Sequence, residues 1–353
     1  MTFESSAQAG DRQAGPRVTV VTVTYGKRLS FIEQVVRAID DKCPQVSDVV
    51  IVDNASSDDV HVLLDAKHRV RFHLLRFEKN RGSSGGFAAG IRLACERTGA
   101  EFLWLLDDDN RPEEGALAHL LAAIADNGGS DVAAALAFRP DEGGQAEAMR
   151  RGYHNRSLKN SFCNFHVREL LRKLAMRKFP RYFHSHPNSD SVFPAYEAPF
   201  GGLLFSRSWV NRIGIPKEAF YLYYDDVEYS WRFVEAGAKI LHCRDAIVTD
   251  LESGWYRGIR GNPLFSCKAK EYRVWFAIRN RVFLERQKLV SSIPMYLFNT
   301  LACCVVNTIL FSIREGHPLV ALARFRLIVR AALEGWNGRL GSSVPAGITL
   351  NGQ

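Results

Sequence analysis

From Arg17 onward, short runs of β-branched residues alternate with segments whose apolar positions recur at helical spacing. Residues 18–24 (VTVVTVT) read as a strand. Ser30 and Glu33 then have capping-box spacing, and Ile32, Val35, Val36 and Ile39 put one apolar stripe on a helix ending near Cys43. Strands follow at 48–53 and 70–77, a helix at 86–98, and at 102–106 a fully apolar strand of the kind buried on both faces of a parallel sheet. Pro112 stands at the expected start of another helix, with Leu117, Leu120, Leu121 and Ile124 on its inner face. This order predicts an α/β class, doubly wound and mostly parallel, with ligands gathering at the carboxyl ends of the strands.

The rhythm breaks over about 150–195, where basic residues from Arg150 to Arg181 crowd around Glu169. Such a basic insertion suits either a solvated face or contact with an anionic acceptor or membrane. Regularity returns with a strand at 199–205, a helix around Trp209, and a helix opened by Asp225 on which Val227, Trp231 and Val234 are expected to face inward. Beyond 262 the chain is mostly helical and arginine-rich. Residues 291–313 carry no charge, and Asn299, Cys303 and Asn307 form a narrow polar stripe at helical spacing. An interfacial helix, a buried helix and a membrane span all satisfy that pattern. The expected division is a flexible tail at 1–16, a catalytic domain at 17–261 and a helical, membrane-associated region at 262–353.

The net charge of +8 implies attraction to something acidic. No recognition helix, zinc motif or aromatic RNA-binding strand accompanies it, so nucleic acid is not an expected partner. The cysteines, seven in number, form no CxxC pair, and an odd set cannot close fully into disulfides. That favours a reducing, cytoplasmic compartment. The polar, Gly/Gln-rich N-terminus resembles neither a secretory signal nor an anchor.

The candidate chemistry lies at the strand ends. Asp107, Asp108 and Asp109 follow the apolar strand directly, and three adjacent acids repel one another unless a cation joins them. Hard ions such as Mg²⁺ or Mn²⁺ take carboxylate and phosphate oxygens together, while an acidic turn before a helix is the simpler alternative. Asp53 ends the second strand and can accept a hydrogen bond from a base N–H. Asn80 to Phe87 (NRGSSGGF) is a Gly/Ser loop whose amides can meet phosphate oxygens, although neither Walker nor dinucleotide-fingerprint spacing is present. Asp225, Asp226 and Glu228 cluster at the positive end of a helix, where a carboxylate can serve as a general base.

Together VTVVTVTY at 18–25, VDNASSD at 52–58, NRGSSGGFAAGI at 80–91, WLLDDDNRP at 104–112, FGGLLF at 200–205 and YYDDVEYSWRFVEAGAKIL at 223–241 resemble the family 2 glycosyltransferases. Within that family the chain looks most like bacterial galactofuranosyltransferases, with rhamnosyltransferases, which usually show Glu-Asp at 225–226, close behind. Arg279-Asn280-Arg281 and residues 335–341 also look like this subgroup. The resemblance implies a GT-A fold with a helical C-terminal extension and inverting transfer of a sugar from a nucleotide diphosphate. Galactofuranose from UDP-galactofuranose is the implied donor, rhamnose from dTDP-rhamnose the alternative, and a saccharide or lipid-linked acceptor of a cell-envelope polysaccharide the partner, at the cytoplasmic face of a membrane. It implies Asp226 as catalytic base, with Asp107 and Asp109 holding Mn²⁺ or Mg²⁺. Asp250 stands where a histidine usually completes the metal set, with His242 a less suitable substitute. Thr24, Tyr25, Asp53, Asn80, Arg81, Gly85, Gly86 and Asp108 would face the donor, and Tyr224, Asp225 and Glu228 the acceptor. Two rivals are a nucleotidyltransferase, for which Thr24 to Arg28 is a poor phosphate loop, and an inactive nucleotide-sugar-binding scaffold.

Overall fold

The computed structural model describes residues 2–5 (backbone only), 15–128, 132–141, 145–146, 148–149, 157–178, 190–254, 256–257, 259 and 261–348. Most of the segment expected as a tail, and Arg150, Arg151, Arg156 and Arg181 of the basic insertion, lie outside these residues. Within the tail segment, however, Thr2–Ser5 forms a strand, β1, at the sheet edge.

The centre of the sheet is built from β2 (Val18–Thr24), β3 (Val46–Asp53), β4 (Arg71–Arg76) and β5 (Phe102–Asp107), paired in parallel in the order β4-β3-β2-β5. Alternate residues of these strands feed two cores. Val20, Val49, Ile51 and Trp104 pack on one face, and Val21, Val50, Val52 and Leu105 on the other. Burial on both faces is why these runs are β-branched and nearly continuous. Beyond β5 the sheet becomes mixed: β9 (Leu203–Ser206) runs antiparallel between β5 and β7 (Val132–Phe138), and β7 pairs in parallel with β10 (Lys239–Asp250). Two short strands, β6 (Asn110–Pro112) and β8 (Val192–Ala195), pair antiparallel with β10.

Helices α1 (Leu29–Lys42), α2 (Val62–Asp65), α3 (Gly82–Arg97) and α4 (Ala116–Asp126) connect the first strands. Three details depart from the sequence reading. Ser30 lies inside α1 and does not cap it; Asp58 accepts the Leu29 amide at 2.9 Å instead. The Gly/Ser run is not a loop but the first turns of α3. Pro112 belongs to the edge strand β6, whose end strand position tolerates a residue with no amide hydrogen, and α4 begins only after Gly115 at φ 74.

Helix α5 (Val167–Lys178) lies in the insertion, followed later by α6 (Ser208–Ile213) and α7 (Asp225–Glu235). On α7 the buried aromatic residues are Tyr229 and Phe233, two positions along and so on the other side of the helix from the expected Val227 and Trp231, which with Val234 are half-buried. The C-terminal region is α8 (Glu271–Lys288), α9 (Ile293–Glu315) and α10 (Pro318–Trp336), around a third core of Tyr272, Phe276, Ile278, Tyr296 and Ile328. Gly335 allows α10 to cross α8 closely, since a side chain there would meet the Arg279 carbonyl oxygen at 2.1 Å. Arg279, Asn280, Arg281 and Glu285 of α8 are buried, so this arginine-rich helix is an internal strut.

Candidate active site

A cavity of about 830 Å³ opens at the carboxyl ends of β2 and β5, within the range of small-molecule sites. Its lining includes Val23, Tyr25, Arg28, Asn54, Asn80, Gly82 and Ser83, the triplet Asp107, Asp108 and Asp109, and Tyr224, Asp225 and Asp226. Pro263, Leu264, Tyr272 and Arg273 close it, so the C-terminal region supplies a wall.

The acid triplet reaches the cavity because the apolar strand β5 ends at its rim. Arg28 answers it: its Nε donates to both Asp108 oxygens at 2.8 and 2.9 Å, Nη2 lies 3.2 Å from Asp109, and Nη1 lies 2.5 Å from Glu252. The rings of Tyr25 and Phe31 cover the same guanidinium at 5.5 and 4.9 Å. Asp250 is brought alongside by antiparallel register with Asn110, whose side chain donates to it at 2.8 Å. Arg139 donates to the same Asp250 oxygen at 2.8 Å and lies 3.9 Å from Asp107. Despite these cations, burial and then the charges of Asp107 and Asp108 push the Asp109 carboxyl up to about 7, and burial first, followed by Asp107, pushes Asp108 up to about 6. Burial and the Asp250 charge raise Asp107.

A hard divalent ion suits this all-oxygen, mutually repelling set. Among the described residues, however, no three His, Cys, Asp or Glu side chains stand together as a finished cage, and Arg28 and Arg139 hold the carboxylates. An ion held by Asp107 and Asp109 requires these arginines to turn away. His242 is buried on β10 and stacks on Phe193, with ring centroids 5.3 Å apart.

The acids of α7 occupy different settings. Asp225 is buried and its Oδ2 accepts the Ser83 hydroxyl at 2.8 Å. Asp226 borders the cavity half-buried, its Oδ1 accepting the Val227 amide at 2.8 Å. Its carboxyl is held well above the usual range, by burial first and then by the charge of Asp225. Glu228 turns from the cavity to Lys217 at 2.7 Å and Arg232 at 2.5 Å, which removes it from the expected acceptor contacts.

Burial is also the first cause that pushes Asp225 up to about 7, with the Asp107 charge adding, against bonds from Ser83 and backbone amides. Its folded value exceeds the unfolded one of about 3.9, so the cost of ionising it in the folded chain appears as pH rises from about 4 to about 7. Asp225→Asn therefore raises the melting temperature above pH 7, and the gain disappears near pH 4. A gain equal at both pH values contradicts this origin.

The other expected donor residues are placed unequally. Thr24 is buried at the end of β2, and its hydroxyl holds Asp108. Asp53 is buried outside the lining; Oδ1 accepts the Ser56 amide and hydroxyl, while Oδ2 accepts no hydrogen bond and lies 3.3 Å from Arg76. Asn80 and Asn54 reach the cavity but bind the Gly82 and Arg81 amides, and the Ser84 amide goes to Tyr221, so these amides are not open to phosphate. Arg81 lies outward over Phe77. Gly85 and Gly86 do not border the cavity: a side chain on Gly86 would meet Val23 at 2.5 Å, so this glycine sets how closely α3 packs on β2.

One device was not read from the sequence. Tyr221, Tyr223 and Tyr224, just before α7, have φ of 65, 67 and 62°, a left-handed region that costs non-glycine residues about 1–3 kcal/mol each. Asn280 of α8 holds this turn, donating to the carbonyls of Phe220, Leu222 and Tyr223 at 2.8–2.9 Å. Arg279 donates to the Phe220 carbonyl at 3.3 Å, and Arg281 lies over the Tyr224 ring at 5.3 Å while pairing with Glu285 at 2.7 Å. The adjacent basic and amide residues at 279–281 are the sequence signal, but their partners lie about 60 residues away.

The mixed sheet thus carries, at its strand ends, one cavity bordered by two acid clusters. Residues 19–184 match the model of glycosyl transferase family 2, and the chain carries a family 2 glycosyltransferase domain. Among curated relatives, Galactofuranosyltransferase GlfT1 of Mycolicibacterium smegmatis is 26% identical over 273 residues, 76% of this chain and 83% of that protein. Galactofuranosyltransferase GlfT1 of Mycobacterium tuberculosis is 28% identical over 200 residues, 56% of this chain and 58% of that protein. In fold, the chain is similar to the crystal structure of GalNAc-T7 with UDP, GalNAc and Mn²⁺, at a TM-score of 0.50 and 15% identity, covering 74% of this chain and about half, 47%, of that one. The mixed α/β fold with a helical C-terminal segment is thus that of GT-A glycosyltransferases.

Proposed function

We propose that this glycosyltransferase moves galactofuranose from UDP-galactofuranose, with inversion, onto a saccharide or glycolipid acceptor of a cell-envelope polysaccharide. The observation that carries the reading is one cavity bordered by both Asp107 to Asp109 and Asp226, with room for a nucleotide sugar between them. The named activity of the curated relatives supports the choice of sugar.

In this reading Asp226 is the general base. Both acids border the cavity, but Asp225 is buried and engaged with Ser83 and braces the helix start, while Asp226 is the more accessible of the two. Tyr25, Asn80 and Asp108 border the donor, whereas Asp53, buried outside the lining with Arg76 at 3.3 Å, would meet a base N–H only after Arg76 moves. Tyr224 stands on the acceptor side. Asp107 and Asp109, with Asp250, would hold Mn²⁺ or Mg²⁺, which when bound offsets the charge of the diphosphate. The GalNAc-T7 structure contains UDP and Mn²⁺ together, in keeping with that assignment. Seven free cysteines fit a cytoplasmic location.

Asp109→Ala is expected to weaken UDP binding in Mn²⁺ by about tenfold or more, a loss of ~1.4 kcal/mol, with little change in metal-free buffer. Calorimetric titration of UDP with and without Mn²⁺ reads both. Equal UDP affinity in the variant and the parent, in Mn²⁺, removes Asp109 from metal binding.

A further inference from the structure

Helix α9 is turned the opposite way from an ordinary surface helix. Its polar positions face the protein: Asn299 and Cys303 are fully buried, and Asn299 accepts the Val167 amide of α5 at 3.0 Å while donating to the Asn160 carbonyl at 2.8 Å. Its apolar positions face outward, with Leu297, Leu301, Val305, Ile309 and Ile313 exposed in a row at i, i+4 spacing, Ile313 at 75%. Helix α10 continues this surface with Leu319, Leu322, Val329 and Leu333. Arg326 and Arg330 are exposed on the same stripe of α10, by helical spacing from these apolar residues.

Acids are few here: of the two glutamates on these helices, Glu315 is taken up by Ser266 and Cys267, and Glu334, one turn beyond Arg330 at the end of α10, is paired with Arg339. A continuous apolar surface of this kind, bordered by cations, is what a monomer in water does not retain without a partner.

We propose that the outer face of α9 and α10 docks on an anionic lipid bilayer, with the helices lying along the surface. Charge complementarity selects the occupant: arginines among leucines bury their stems in the apolar boundary while their guanidinium groups meet lipid phosphates. The basic helix α5, with five Lys and Arg to one acid, is fastened by its first amide to the same α9 that carries the apolar row. A crossing α9 is disfavoured because it would strip Asn299 from Asn160 and Val167 and place its amide in hydrocarbon.

The docked face also adjoins the cavity. The 3-10 turn Pro263–Phe265 packs against both α9 and α10, and its Pro263 and Leu264 line the cavity wall. A lipid-linked saccharide held in the bilayer therefore meets the cavity on that side. The docking itself does not depend on which sugar is transferred.

The test is sedimentation of the full chain with phosphatidylcholine vesicles, with and without phosphatidylglycerol. The parent chain is expected to bind the anionic vesicles, more weakly at high salt, and to be released by alkaline carbonate. Leu301→Asp with Ile309→Asp lowers the partition coefficient more than about tenfold. It leaves melting temperature and nucleotide release in lipid-free buffer unchanged, because both side chains are exposed. Arg326→Glu with Arg330→Glu removes the preference for phosphatidylglycerol. Failure of the parent chain to bind either vesicle overturns the proposal. So does a lipid-free dimer that the Leu301→Asp, Ile309→Asp change splits, which assigns the face to a second copy. Resistance to carbonate also overturns it, in favour of a span.

Discussion

Asp226→Asn is expected to lower kcat by about 10³-fold while UDP affinity stays within about threefold of the parent, because loss of a positioned general base costs roughly 10²–10⁴ in rate and removes no donor contact. The carboxylate can accept the acceptor's proton only when ionised, and burial together with the Asp225 charge holds its pKa above the usual range. In the parent chain kcat therefore falls as pH drops through that raised value, and the variant loses this limb of the profile. A steady-state pH profile of both proteins checks the two statements together. Turnover retained by the variant, or a profile that keeps the same limb, transfers the role to another group in the cavity.

The second large effect is expected at a residue far from the reacting atoms. Asn280→Ala removes the one amide group whose two hydrogens serve three carbonyls of the turn before α7, at about 1 kcal/mol per hydrogen bond, and takes that donor from Leu222 and Tyr223, while the Phe220 carbonyl keeps Arg279 and the Leu222 amide. Tyr221, Tyr223 and Tyr224 can then relax from left-handed backbone, and the start of the base helix moves with them. Displacement of a catalytic group by about 1 Å costs about 10² in rate. The expected result is a kcat lower by about that factor, with the donor KM within about threefold, in protein that still melts cooperatively. A variant with the parent's kcat contradicts the clamp, and one in which KM alone rises places Asn280 in donor binding.

Much of the site follows from local pattern. The apolar run 102–106 needs burial on both faces, so the acids after it emerge at a strand end, and the structure ends β5 at Asp107. The Asp225 helix start is likewise set by sequence, because acids gather where the helix dipole is positive. What local pattern does not carry is the choice between equivalent local solutions. Ser30 and Asp58 both offer a cap to α1, and only the folded loop brings Asp58 to the Leu29 amide. The Gly/Ser run reads equally as a phosphate loop or as a close-packed helix turn, and contact of Gly86 with Val23 decides for the helix.

Long-range partners are hidden for the same reason. By sequence the arginine-rich helices beyond 262 suit membrane contact, oligomer contact or donor closure equally well, yet Arg279 and Arg281 are both buried, with carbonyl and aromatic partners from other segments and a carboxylate one turn along. Burial pushes Arg279 down to about 10, a sign of how fully it is enclosed. In α9 the periodicity located the polar stripe but not the side it faces, since a helix with apolar residues over most of its surface can turn either way until Asn160 and Val167 fix Asn299.

The most direct measurement is nucleoside diphosphate release from a panel of donors that includes UDP-galactofuranose and dTDP-rhamnose, with a lipid-linked saccharide acceptor and Mn²⁺ or Mg²⁺. The account predicts release of UDP from UDP-galactofuranose, dependent on acceptor and metal and lost in Asp226→Asn. Release from dTDP-rhamnose in its place contradicts the assigned sugar. UDP binding without release from any donor contradicts the transferase mechanism itself.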